Sequence, residues 1–251
     1  MPLSTTLRLR TATAALLLAA GAALPPLNPA LAEVAAPPAA EQTYLFFADG
    51  EARCEIALPA RPQPEEQEAA LLLQEVFAAL GGVAVPVVTN PPGEAAALRI
   101  HVGESPYALE ATAAVRPADL DLDGLIVHPA DARNLVLLGG RPLASFYAVT
   151  EFLEEHAGVL WVWPGETGTV LPKTPRLEAA VRTRVSQPAF VAREFSGLNP
   201  ARMRLWRIHQ GMRGHPEIRG QHHHNVKRTM PWELWDEHPD FFSFVDGERR
   251  K

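Results

Sequence analysis

Two stretches of the chain carry apolar residues at helical spacing, and the runs around them alternate or cluster in the manner of short strands. In PEEQEAALLLQEVFAALGG, starting at Pro64, residues Ala69, Leu72, Leu73, Val76, Phe77 and Leu80 form one apolar stripe and predict a helix. Pro64 suits its first turn, Glu65 and Glu66 favour the positive end of its dipole, and Gly81 can cap the far end. In GGRPLASFYAVTEFLEEHAG, Pro142 opens a second helix. Leu143, Phe146, Tyr147, Val149 and Leu153 line its buried side and Gly158 stops it. Strands are predicted at Thr43 to Gly50, Cys54 to Pro59, Val83 to Val88, Leu98 to Gly103, Asp123 to His128, Asn134 to Gly140 and Val159 to Pro164. A mixed α/β layer of strands covered by two amphipathic helices is the economical way to bury these stripes. Near the end, Phe241 to Val245 reads as a strand and Asp246-Gly247 as a tight hairpin turn. Its returning strand is at most a stub.

The first residues address location. Arg8 and Arg10 supply positive charge, Ala12 to Leu24 is apolar but too short to span a bilayer, and Ala30-Leu31-Ala32 is a small-residue cleavage site. Residues 1–32 therefore read as a secretory signal peptide and 33–42 as an Ala/Pro linker. The mature chain is expected to be secreted or periplasmic, with no membrane association after cleavage. Cys54 is the single cysteine, so no internal disulfide can form.

Charge divides the mature chain. Glu33 to Ser186 carries 10 Lys/Arg against 21 Asp/Glu, a net of −11, and Gln187 to Lys251 carries 11 against 8, a net of +3. The composition shifts within Val170 to Pro188, rich in Pro and Thr. This places an N-terminal α/β domain at 43–175, a connector at 176–188 and a second domain at 189–251. Neither part is basic enough for a nucleic-acid footprint, and no arginine cluster alternates with aromatics. Gly139-Gly140 before a helix lacks the rest of a phosphate-binding pattern. Asp119, Asp121 and Asp123 lack the glycine and closing glutamate of a calcium loop, and read as a solvated acidic turn. No cofactor is expected.

Three separated motifs carry a family resemblance. They are GGRPLASFYAVTEFLEEHAGVLWVWPGETGTVLPK (Gly139 to Lys173), QPAFVARE (Gln187 to Glu194) and HPDFFSFVDGER (His238 to Arg249). The first resembles the N-terminal domain shared by bacterial α-glucuronidases and β-N-acetylhexosaminidases. All three, in this order, resemble secreted proteins of domain-of-unknown-function family 4838. The resemblance implies a carbohydrate-active, glycoside-hydrolase-like class and a (β/α)8 barrel whose first strand is FVAREF. A complete barrel takes about 250 residues, and about 65 remain after Gln187. The expectation is a truncated catalytic-type barrel domain, with an N-terminal mixed sheet ahead of it.

The same resemblance implies that the catalytic carboxylates lie beyond Lys251, so no catalytic residue is assigned. Arg193 is the candidate sugar-binding arginine on the first barrel strand, its fork of donors suiting vicinal hydroxyls or a carboxylate; pairing with Glu194 or an inter-domain acid is the alternative. Glu194 ends the same strand and reads as either a substrate contact or a structural ion-pair partner. Trp206, Trp232 and Trp235 offer flat faces for sugar rings, although Trp206 lies in a helix-like stretch that also suits core packing. His222, His223 and His224 cannot all face one ion from a regular strand or helix, because neighbouring side chains point apart. They read as a polar loop contacting sugar hydroxyls. A metal site from His222, His224 and His215 or His209, or a plain exposed loop, stays open. Two functions follow: part of a secreted glycoside hydrolase acting on polysaccharide or glycan, or a non-catalytic carbohydrate-binding or cell-surface module.

Overall fold

The computed structural model describes residues 41–91, 93, 97–114, 120–190, 192–194, 203–212 and 230–250. The expected signal peptide (residues 1–32), residues 33–40 of the expected linker, Asp119, His215 and His222 to His224 lie outside the described residues. The chain forms β1 (Glu41–Ala48), β2 (Glu51–Ala52) and β3 (Cys54–Leu58), then helix α1 (Pro64–Gly81). Strands β4 (Val87–Thr89) and β5 (Leu98–Val102) lead to the short helix α2 (Pro106–Ala111). The hairpin of β6 (Leu125–Asp131) and β7 (Asn134–Gly139) precedes α3 (Pro142–Ala157). There follow β8 (Leu160–Trp161), β9 (Thr169–Val170), β10 (Arg176–Arg182), β11 (Arg184–Ser186) and α4 (Arg204–His209). The described chain ends in a hairpin of β12 (Phe244–Val245) and β13 (Glu248–Arg249).

Both long helices begin and end where their sequence signals lie. In α1, the buried Glu66 accepts from the backbone N–H of Gln63 at 2.8 Å, closing the first turn. Its cap is Gly82, at φ 68°, and not Gly81. Gly81 is small for another reason: a Cβ there would sit 2.3 Å from the Phe47 ring. Gly158 caps α3 in the same left-handed conformation. Gly139, at the entry to α3, admits no Cβ either, since Ala144 would lie 2.3 Å away. That glycine serves the close packing of β7 on α3.

Six strands make the main sheet, in the order β11-β6-β7-β5-β3-β4. Strands β3, β4, β5 and β7 run parallel, and β6 and β11 are antiparallel to their neighbours. A smaller antiparallel sheet, β10-β1-β2, is held by β1 pairing with β10. The mixed α/β class is therefore observed. The stretch 176–188, expected as a connector, instead supplies β10 to the small sheet and β11 to the main one. Alternating residues explain this: Leu177 and Val181 are buried while Arg176, Glu178 and Arg182 face water.

One face of the main sheet is apolar. Ile56, Leu98, Ile100, Val102, Leu135 and Leu137 pack with Ala69, Leu73 and Phe77 of α1 and Phe146, Val149 and Leu153 of α3. Phe46 of β1 fills the centre, its ring 5.8 Å from Phe77 and 5.3 Å from Phe152. Two predicted strands are shorter than expected: Val83 and Val85 are buried outside any strand, and β8 stops at Trp161. Helix α2 was not foreseen from the sequence. Of the expected barrel strand, Phe190 to Phe195, residues Phe190, Ala192 and Glu194 form no strand and Arg193 makes an isolated bridge. Val191 and Phe195 lie outside the described residues. At the C-terminal hairpin, Asp246 at φ 53° and Gly247 at φ 84° form the expected turn, with β12 and β13 two residues each.

Candidate functional site

Arg193 is not directed at open solvent. Its Nη2 donates to Asp123 Oδ2 at 2.6 Å, its Nε to the Gly211 carbonyl at 2.7 Å, and its Nη1 to the Phe190 carbonyl at 2.6 Å. The partner is thus an acid of the N-terminal α/β layer, one of the two arrangements open from sequence. Asp123 is buried, which corrects the expectation of a solvated acidic turn, and Arg141 binds its other oxygen. Burial pushes the Asp123 carboxyl upward in pKa, but hydrogen bonds and charge from Arg193 and Arg141 outweigh it and hold the group below the usual range. Asp123 is therefore a charged strut that ties the entry to β6, the start of α3 and the segment after β11 together.

The cleft beside this strut holds about 290 Å³ and is lined by Tyr147, Glu151, Glu154, Arg193 and His209. Burial raises the pKa of Glu151, with Arg184 opposing it at 2.5 Å; burial and the neighbouring Glu151 raise that of Glu154. His209 lies against Trp161 and Phe146, and among the described residues neither ring nitrogen has a hydrogen-bond partner. Burial lowers its pKa to about 4. Glu194 pairs with Arg207 at 3.2 Å and is exposed. His209 is in no metal-binding arrangement: among the described residues no group of three or more His, Cys, Asp or Glu is placed to hold an ion.

A second depression, of about 810 Å³, lies over α1, α3 and α4. Trp206 is half-buried and its Nε1 donates to the Trp161 carbonyl at 3.0 Å, where Gln210 also donates at 2.8 Å. That bond fixes the indole and leaves part of its ring on the groove wall. Trp163 stands opposite, with ring centroids 6.4 Å apart and planes at 49°, and is 58% exposed. Trp163 was missed in the sequence because VLWVWP reads as one strand, which would bury alternate residues alike. The strand ends at Trp161, and the chain turns back so that Val162 N donates to the Gly168 carbonyl at 2.8 Å. A Cβ at Gly168 would lie 2.1 Å from the Trp163 carbonyl oxygen, so this turn needs glycine. Glu68, Glu75, Glu166 and Arg204 complete the wall, with Arg204 bound to Glu68 at 2.8 Å.

Among the described residues, no helix is long and apolar enough to cross a membrane. No family model matches the chain, and no curated protein matches it. Among solved structures, it is similar to a GH115 4-O-methyl-α-glucuronidase, BtGH115A, described as having specificity for decorated arabinogalactans. The identity is 16%, the TM-score is 0.39, and the match covers 55% of this chain and 18% of that one. The chain thus spans under a fifth of that enzyme's length, and a similarity of this depth carries neither fold nor function.

Proposed function

We propose that this protein is carbohydrate-active: the N-terminal part of a secreted or periplasmic, glycoside-hydrolase-like protein, as its three motifs imply by resemblance to family 4838. Here the described chain contributes sugar-binding surface and the hydrolytic carboxylates come from outside these 251 residues. The observation that carries the reading is the tryptophan groove. An indole held rigid by its own N–H bond presents a flat apolar face to the C–H side of a pyranose. Carboxylates and a guanidinium beside it can exchange hydrogen bonds with the ring hydroxyls. Trp163 with Trp206, ringed by Glu68, Glu75, Glu166 and Arg204, meets both requirements. The non-catalytic alternative, a carbohydrate-binding or cell-surface module, uses the same groove and differs only in lacking the acid pair.

Titration with soluble polysaccharides and their oligosaccharides, followed by tryptophan fluorescence, tests the groove. The expected result is saturable quenching that Trp163→Ala weakens by about tenfold or more, with thermal stability unchanged because the side chain is largely in water. Binding that survives Trp163→Ala unaltered, or no binding to any glycan, overturns the reading.

A further inference from the structure

The face of the main sheet turned away from α1 and α3 holds a third concavity, of about 920 Å³. Its floor is built by strand alternation. Ile100 and Val102 of β5 point to the helices, so Arg99 and His101 point the other way, and Asn134 of β7 shares their face. Tyr107 of α2 and Asp131 at the end of β6 form the rim. A sheet face that only had to be covered would be apolar, as Val136 and Leu138 are beneath Ala108 of α2. Here buried polar groups cost free energy unless each is paired, and the pairing is ordered.

Asn134 Nδ2 donates to both carboxylate oxygens of Asp131, at 3.0 and 2.9 Å. Its Oδ1 is therefore the acceptor, and His101 Nε2 donates to it over 2.9 Å. That fixes the histidine tautomer and leaves Nδ1 an acceptor. Burial lowers the His101 pKa, so the ring is neutral at pH 7, and it stacks on Tyr107 with centroids 4.3 Å apart and planes at 18°. Tyr107 OH donates to Asp131 Oδ2 at 3.1 Å. Arg99 donates from Nε to Glu55 at 2.6 Å and from Nη1 to the Gly93 carbonyl at 3.0 Å. Tyr44 OH, from the small sheet, donates to the carbonyls of Asp131 and Asn134 and braces the rim from behind.

The charged lining residues are Arg99, Arg133 and Asp131. Glu55, outside the lining, neutralises Arg99, so formal charges balance once that pair is counted, which disfavours an ionic ligand. What remains is a rigid row of alternating donors and acceptors beside a stacked aromatic pair, in a volume typical of small-molecule sites. That pattern matches a polyhydroxylated ring, in which each hydroxyl both donates and accepts. We propose that this concavity is a separate site for a neutral mono- or disaccharide, its hydroxyls read by Asp131, Asn134 and Arg99 beside the Tyr107–His101 stack. It shares no lining residue with the tryptophan groove and stands independently of it.

The test is a two-dimensional amide NMR titration of the full chain with glucose, galactose, xylose and cellobiose. The expected result is saturable shifts at residues 99–107 and 131–134 for at least one sugar, with Kd of about 1–10 mM. Tyr107→Phe, which keeps the stack and removes one exposed hydroxyl, is expected to weaken binding about threefold, and His101→Leu to abolish it. Shifts confined to residues around Trp163 and Trp206 overturn this site while upholding the groove. Absence of saturable shifts at 99–107 and 131–134 with all four sugars overturns it, as does unaltered titration of both variants.

Discussion

The two faces of the six-stranded sheet are built from the same strands and follow opposite rules. Toward α1 and α3, β5 offers Leu98, Ile100 and Val102, which are buried among other hydrocarbon side chains. Toward α2, the same five residues offer Arg99 and His101, equally buried but each hydrogen-bonded. Equal burial therefore has unequal meaning. On the helix face, removal from water is the source of stability. On the other face, burial opposes folding and is offset by paired bonds, so those residues are explained by what they present and not by how much area they cover.

Adjacent substitutions on β5 are the sharpest way to break that contrast. Ile100→Ala opens a cavity in an apolar core and is expected to cost about 3 kcal/mol. His101→Ala, one residue away and as inaccessible, loses one hydrogen bond and one ring contact and is expected to cost about 1 kcal/mol. Denaturant melts of both variants measure the difference. Equal losses would mean that the polar face is structural filling after all.

Acid provides the second, smaller contrast. His209, beside Phe146 on the helix side, is neutral when folded with a pKa near 4, against about 6.5 unfolded. A base whose folded pKa is depressed contributes its full stability above the unfolded value and loses it as pH falls through that window. The expected loss between pH 6.5 and 4 is about 2 kcal/mol. His209→Leu is expected to flatten this limb. His101, also lowered but partly compensated by its bond to Asn134, contributes less. Below about pH 4, protonation of Asp123 adds a further loss, because its folded pKa is depressed and its stabilisation is present only above the ordinary carboxylate range. Thermal melts at stepped pH values for the parent, His209→Leu and His101→Ala separate these contributions.

Most of the helix face was legible in the sequence. Helical spacing placed α1 and α3, and the glycine stops fell within one residue of their caps. What was hidden depended on pairing across distance. Arg176 to Ser186 read as a linker because Pro and Thr precede it, and only partners as remote as Glu41 and Leu125 make it β10 and β11. The burial of Asp123 was hidden for the same reason, its two arginines being 18 and 70 residues away. The polar face did leave a trace: Leu98-Arg99-Ile100-His101-Val102 alternates without a break, and a strand of that kind in a parallel sheet must bury its polar residues too. Of the sequence-derived site residues, Arg193, Glu194, Trp206, His209, Trp232 and Trp235 fall among the described residues and do not share one cleft. Arg193 lines the small cleft by Asp123, and Trp206 lines the groove.

The smallest effect is the most discriminating. Three residues hold Asp131 ionised: Arg133 and Asn134 of its own turn, and Tyr107 from α2. Burial raises its pKa, and these hydrogen bonds outweigh it and leave the carboxyl below the usual range. Among the described residues, Tyr107→Phe removes the one donor to Asp131 that comes from outside the β6–β7 turn. Because that side chain is exposed, stability is expected to fall by no more than about 0.5 kcal/mol. The Asp131 carboxyl, followed by NMR as pH is lowered, is expected to protonate at higher pH than in the parent. An unmoved Asp131 titration would show that α2 merely rests on the sheet. A moved one, with stability intact, shows that the helix tunes the acceptor on the rim, which is how a face spends little of its folding energy and still fixes the chemistry it offers.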